Sequence, residues 1–410
     1  MNGQTRPERG SDHILSVDDP TQAKPPYNRL RSAICGVTHG GPHCWVHVNA
    51  WDAVSDRKLR PVTTLTVRTE APTARGPVSS ALIAVLTDGQ QSPDAKLGLS
   101  AAVEQAVDEC HDILGDEDLQ LTLFLLYLLH YGPVDFVRGE WEWDPELIRL
   151  RSLVEERFEA HVRAHVVLPS PLPHDGKHAA EALFEMTQPA AKPGTAMWLA
   201  KNATEELLRE FLIQRSIYTL READPHTWSI PKLQGRAKAA MVEIQADEYG
   251  GGHPDKVHSE IFARTMRNFG LDDTPDAYLD LVPASTLAST NLISMFGLHR
   301  RLRGANVGHL AAFEMTSTIP NKHYGNAFRK NGYGQDVTWY FDEHVEADAV
   351  HEQLAARDLV GNLVDDEPQL TEDIFFGAAA CLYVDGRAGD HMRDAWSSGR
   401  SSLRTAEPRA

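Results

Sequence analysis

The sequence is short of cysteine, of long apolar runs and of positive charge, and each shortage excludes a class of protein. Its four cysteines, Cys35, Cys44, Cys110 and Cys381, are scattered over 410 residues without a CxxC pair, which argues against a disulfide framework and fits a reducing cytoplasm. The longest apolar stretches, Leu119–Leu129 and Ile374–Val384, fall well short of the roughly 20 residues that cross a bilayer, so no membrane span is expected. The first twenty residues show neither the apolar segment nor the cleavage site of a secretory signal, and export is not expected. Lys and Arg number 40 against 58 Asp and Glu, a formal net charge of -18. A general nucleic-acid binder needs clustered cations to neutralise phosphate, so that class is set aside as well.

What is present is a hydrophobic share of 42%, ample for a core of one large or two smaller domains. Residues 1 to about 30 are polar, rich in Pro and Asp and aperiodic, and read as a disordered leader. From Ala33 to Pro77 the apolar content rises and VTTLTVRT alternates like a short strand, which predicts a small appendage; residues 1–77 thus form a leader and appendage of open role. Within it CGVTHGGPHC offers Cys35, His39, His43 and Cys44, but the last two are adjacent and the spacing fits a Gly-rich turn better than tetrahedral zinc. Residues 78–193 read as an N-terminal helical part, with Asp144 and Pro145 well chosen to start a helix. A Pro-rich break follows at 168–178, residues 194–388 are helical almost throughout, and 389–410 read as a disordered tail.

Three segments carry chemistry. In HVEADAVH, His344, Asp348 and His351 are spaced i, i+4 and i+7, so on a helix they share one face, and two imidazoles beside a carboxylate call for a compensating cation or for solvent. In EIQADEYGGGHPDKVHSEIF, Asp255 and His258 form a carboxylate-x-x-His pair, with Glu248 seven residues earlier. Gly250, Gly251, Gly252 and Pro254 between them predict a bulge or a kink; a plain turn would leave Asp255 near a helix start as a cap rather than a ligand. Glu314 sits among Ala311, Ala312, Phe313 and Met315, where a carboxylate needs a partner, either a metal or an arginine such as Arg300 or Arg303. Oxygen donors mixed with imidazole and no thiolate suit non-haem iron or manganese better than structural zinc.

Residues 80–385, and most specifically VEIQADEYGGGHPDKVHSEIF, GLHRRLRGANVGHLAAFEMTS and YFDEHVEADAVHEQ, resemble the haem-oxygenase-like diiron oxidases, a family also described as iron-containing redox enzymes. The resemblance implies an all-α, haem-oxygenase-like helical bundle with additional N-terminal helices. It assigns metal ligation to Glu248 and His258, to Glu314, and to His344, Asp348 and His351, with Asp255 as an added ligand where such proteins usually carry Glu. Glu222, in LREADPHTW, is a further acid near the implied site, as a helix-end group or a ligand.

By the same resemblance, two Fe(II) ions activate O2 to oxidise a small organic substrate, an amino acid, an amino-acid derivative or a fatty acid, in bacterial secondary metabolism. An external electron donor and a homodimer are compatible with it; nucleic-acid and membrane partners are not expected. Arg300, Arg301 and Arg303 stand either as holders of a substrate carboxylate or as surface arginines. Tyr249, Tyr324, Trp339 and Phe341 flank the motifs as pocket walls or core. Two rivals remain open: a metal-binding or iron-storage bundle without turnover, and a haem-degrading or cofactorless bundle, which would leave the carboxylates unexplained.

Overall fold

The computed structural model describes residues 67–88, 93–132, 134–189 and 194–405, except for the side chains of Asp348 and Ala349. They fold as an all-α bundle, and among the described residues there is no strand. The leader, the Cys35–Cys44 segment and most of VTTLTVRT lie outside the described residues, and the last three residues of that segment join no sheet.

The N-terminal part comprises α1 (Pro77–Asp88), α2 (Pro93–Glu109), α3 (Glu117–Leu128), α4 (Pro145–His165) and α5 (Gly176–Met186). The Asp-Pro start of α4 works as its sequence predicts: Asp144 accepts hydrogen bonds from the backbone N–H groups of Glu146 and Leu147. Helix α3 is buried along nearly its whole length, which explains why its apolar residues show no single face.

The remainder runs α6 (Thr195–Asn202), α7 (Glu205–Thr219), a single turn α8 (Asp224–Thr227), α9 (Gly235–Glu248), α10 (His258–Phe269) and α11 (Ala284–Leu298). It ends with α12 (Arg303–Met315), α13 (Thr318–Lys330), α14 (Gln335–Gln353), α15 (Asn362–Asp366) and α16 (Thr371–Ser397). Helices α12 and α16 form the central pair. Their backbones approach so closely that a Cβ at Gly308 would overlap the Ile374 carbonyl and one at Gly377 the Ala305 carbonyl, so only glycine fits at either crossing. Between α14 and α15 the chain widens into a π-helical segment, Leu354–Gly361, the kind of irregularity that concentrates beside functional sites.

Helix α16 continues past the boundary expected at 388. Gly386 and Gly389 read as a stop, but Met392, Ala395 and Trp396 bury an apolar face that outweighs their weak helix propensity. The chain beyond is held too: Ser402 is buried, and its N–H and hydroxyl both donate to Glu210, each at 2.8 Å.

Candidate metal centre

Five of the seven residues singled out for metal ligation converge. Glu248 is the last residue of α9 and His258 the first of α10, and the link between them folds back on itself because Gly250, Gly251 and Gly252 all take positive φ, at 70°, 58° and 83°. His258 Nδ1 thereby lies 2.9 Å from Glu248 Oε2. Glu314 arrives from the end of α12, and α14 presents His344 and His351 two turns apart on the face their spacing predicts.

His351 Nδ1 stands 3.3 Å from Glu314 Oε2 and 3.9 Å from Glu248 Oε1. Glu222, in the turn after α7, joins them, its Oε1 3.7 Å from His344 Nε2. The six side chains are 1–6% exposed, so water cannot solvate their charges.

The donors fall into two groups that share one carboxylate. Donor atoms of Glu222, Glu248, His258 and His344 lie within 4.8 Å of one another, as do those of Glu248, Glu314 and His351. The side chain of Asp348 lies outside the described atoms.

Asp255 does not join them. It is exposed on a 3-10 turn, Pro254–Lys256, because the glycine-rich link ends the helix at Glu248 and α10 begins only at His258; the continuous stripe that would have turned Asp255 inward does not exist. Glu222 is the residue that periodicity missed. It sits in a turn where no helical spacing points to it, and its signal in the sequence was that of a further acid near the site the resemblance implies.

Surrounding groups fix the rings. His344 Nδ1 hydrogen-bonds the Tyr340 carbonyl at 2.8 Å, which leaves Nε2 facing the carboxylates, and His351 Nε2 pairs with Asp247 at 3.2 Å, which turns Nδ1 inward. The Tyr340 hydroxyl donates to Glu222, 2.8 Å from either carboxylate oxygen.

The electrostatics are those of opposed buried charges. Burial acts to raise the Glu248 carboxyl, but His258, with His344 and His351, outweighs it and holds the group at about 2. Burial acts to lower His258 and His351, yet Glu248 on the first and Glu314 on the second push each up to about 9. Glu314 goes the other way, raised by burial that His351 offsets only in part. Among the described residues no Lys or Arg pairs with any of the three glutamates.

These donors fit metal ions. His258 Nδ1 and His351 Nδ1 are buried within ion-pair reach of carboxylates, but their N–H directions miss the acceptors, so neither forms a hydrogen bond. Nitrogen and oxygen atoms that crowd together without bonding each other are arranged as donors around a third atom. An oxygen-rich set with imidazole and no thiolate suits iron or manganese, and the described cysteines, Cys110 and Cys381, belong to neither donor group.

The arginines take other roles. Arg301 pairs with Glu159 and Arg303 with Glu367, while Arg300 is exposed, so the salt bridge that would have explained Glu314 is absent. Of the flanking aromatics, Phe341 packs against Phe328 and Tyr249 donates to Asp224 at 2.7 Å, whereas Tyr324 lines a cavity. That cavity, about 370 Å³, adjoins the cluster: its walls share Tyr218, Phe313 and Ser317 with a small void bounded by Glu222, Glu248, Glu314 and His344.

A helical bundle that gathers carboxylates and imidazoles around a shared glutamate defines a class, and the comparisons agree: residues 209–386, which hold all six clustered side chains, match the model of the family described as iron-containing redox enzyme. Among curated proteins it is similar to nitrosourea synthase of Streptomyces achromogenes subsp. streptozoticus, 28% identical over 162 residues, or 39% of this chain and 34% of the relative. The match thus spans about a third of that relative's length.

Among the described residues no helix is long and apolar enough to cross a membrane.

Proposed function

We propose that the chain is a non-haem diiron oxidase that uses O2 to oxidise a small organic substrate. The observation that carries this reading is the pair of buried donor groups joined at Glu248, two sites sharing one carboxylate. In that arrangement Glu222, His258 and His344 would hold one ion and Glu314 and His351 the other, with Glu248 common to both groups and Asp348 the further ligand that the helical spacing of α14 offers. Iron bound there supplies the electrons that reduce dioxygen.

The rest is the work of the protein. Tyr340 and Asp247 keep Glu222 and His351 in register, and the Tyr340 carbonyl fixes the tautomer of His344. Burial excludes bulk water from the reacting groups. The cavity of about 370 Å³ beside the cluster is of a size for a small molecule and supports an oxidase over a storage bundle, which needs no such space. The match to the iron-containing redox enzyme family, together with the nitrosourea synthase relative, supports an oxidase-type function in bacterial metabolism.

The test is metal analysis with Mössbauer spectroscopy on anaerobically iron-loaded protein. Wild type should bind about two irons per chain, and His344→Ala and Glu314→Ala distinctly fewer. Two irons bound without any substrate-dependent oxygen uptake would favour storage; a single iron, unaffected by these substitutions, would sink the diiron reading.

A further inference from the structure

The cavity beside the cluster has one wall whose charge nothing so far explains. Helix α7 presents Phe211, Arg215 and Tyr218, spaced i, i+4 and i+7, on its face toward the cavity, and α16 presents Cys381 and Asp385. Among the described residues the half-buried Arg215 guanidinium makes no hydrogen bond or ion pair, and it lines the cavity. Arg393, on the same cavity wall, is by contrast tied to Asp390 at 2.7 Å.

Asp385 accepts hydrogen bonds from the Ser289 hydroxyl and, at 3.8 Å, from the Cys381 thiol, and among the described residues it has no cationic partner within ion-pair distance. Arg215 lies in the field of Tyr340, Tyr324 and Glu222 and then of Asp385, with an ion pair to neither acid. A half-buried guanidinium with a planar fork of five donors is suited to a carboxylate, and a half-buried carboxylate without a cationic partner to an ammonium group.

We propose that Arg215 and Asp385 form a head-group receptor that holds the carboxylate and the ammonium of a free amino acid, whose side chain is presented to the Glu/His cluster. Position supports the direction of approach. Glu222 lies in the turn that follows α7, and Tyr218, Phe313 and Ser317 line both the cavity and the void at the cluster. Burial acts to raise the Asp385 carboxyl, partly offset by Ser289 and Arg215, as befits an acid whose full counter-charge arrives with a ligand. A fatty acid offers nothing to Asp385, and a simple amine nothing to Arg215.

The role given to the side chain rests on the oxidase reading, but the binding does not, so the two can fail separately. Calorimetric titration of the metal-free full chain with each of the twenty protein L-amino acids, and with octanoate, gives the first readout. At least one free amino acid should bind with a Kd of roughly 1 mM or tighter, and its carboxamide and its N-acetyl derivative at least about tenfold more weakly.

Arg215→Met should remove the preference for the free acid over the carboxamide, and Asp385→Asn the preference for the free amine over the N-acetyl form. Arg215→Lys should restore part of the first preference, and it keeps the test open should Arg215→Met fail to fold. Binding by none of the twenty, octanoate binding as well as the best of them, or equal binding of all derivatives overturns the proposal. If the same preparations bind two irons but no amino acid, only this inference falls; if they bind the amino acid but no iron, only the oxidase reading falls.

Discussion

Two regions of this bundle bury glutamates beside histidines, and they solve the problem differently. In the N-terminal part, Glu155 is 2% exposed and receives the Tyr127 hydroxyl at 2.8 Å, Arg151 at 3.3 Å and His299 at 2.8 Å. Its neighbour Glu159 is clasped by Arg301 and Arg163. Permanent cations settle those charges within the protein, even though Arg151 Nε pairs with Glu155 without a hydrogen bond. At the second site the ion-pair partners of Glu222, Glu248 and Glu314 are imidazoles, whose charge is conditional, and two of those imidazole nitrogens are left without a hydrogen bond. The contrast separates a polar network that completes itself from one built to be completed from outside, and burial alone does not distinguish them.

Removing one acid from each region puts the largest strain on that contrast. Glu248→Ala takes away the donor common to both groups and should reduce bound iron from about two per chain to a small fraction of one, while the metal-free protein remains folded. Glu155→Ala should do the reverse. It strands Arg151 and the Tyr127 hydroxyl in the interior at a cost of about 3 kcal/mol, read from chemical denaturation, and the folded fraction should still take up its iron. If Glu155→Ala abolished iron binding in protein shown to be folded, or Glu248→Ala left it intact, the division into a closed and an open network would be wrong.

The open network also makes stability depend on pH in a way that metal should erase. In the metal-free chain His258 and His351 are raised from 6.5 to about 9, so the stability their protonated forms contribute is complete below about 6.5 and lost as pH rises through about 9. Glu248 is depressed from 4.5 to about 2, so its contribution is present above 4.5 and fades only as pH falls toward 2. Denaturation midpoints of metal-free protein should therefore decline between pH 6.5 and 9. Loading with Fe(II) under anaerobic conditions, which replaces those protons, should flatten or invert the slope. A metal-free profile that is level from 6.5 to 9 would mean that the imidazoles are not held by the glutamates.

How legible this was in the sequence depends on the element each residue occupies. His344 and His351 were readable because they share a regular helix face, and Glu314 because an acid among Ala311, Ala312 and Phe313 needs a reason to be there. Asp255 misled because the same spacing argument was carried across a link that three positive-φ glycines turn out of the helix. Glu222 lies in a turn, where no period operates. Arg215 and Asp385 were invisible for another reason: each stands on a helix whose charged residues mostly face solvent, and only the packing of α7 beside α16 shows that these two face a cavity. The extension of α16 to Ser397 was hidden by glycines whose cost is offset by the burial of Trp396, a tertiary effect that local propensity cannot report.

The smallest effect concerns backbone strain, and it too contrasts the two kinds of partner. Two described residues other than glycine take positive φ, Ala223 at 73° and Asp276 at 63°. Asp276 is held there by Arg221, which donates to both its oxygens at 2.7–2.9 Å, and aspartate tolerates this region. Ala223 has no side chain to anchor it; it directly follows Glu222, and its conformation sets where that carboxylate points. A non-glycine residue held in this region costs about 1 kcal/mol. Ala223→Gly should accordingly raise the stability of the metal-free protein by no more than about 1 kcal/mol, since relief of strain is partly cancelled by the greater freedom of glycine in the unfolded chain. The same substitution should weaken iron binding at the Glu222 group by a few-fold, because the strained turn would no longer hold that carboxylate in register. Gain of stability with unchanged iron affinity would show that the strain at Ala223 serves the fold and not the site.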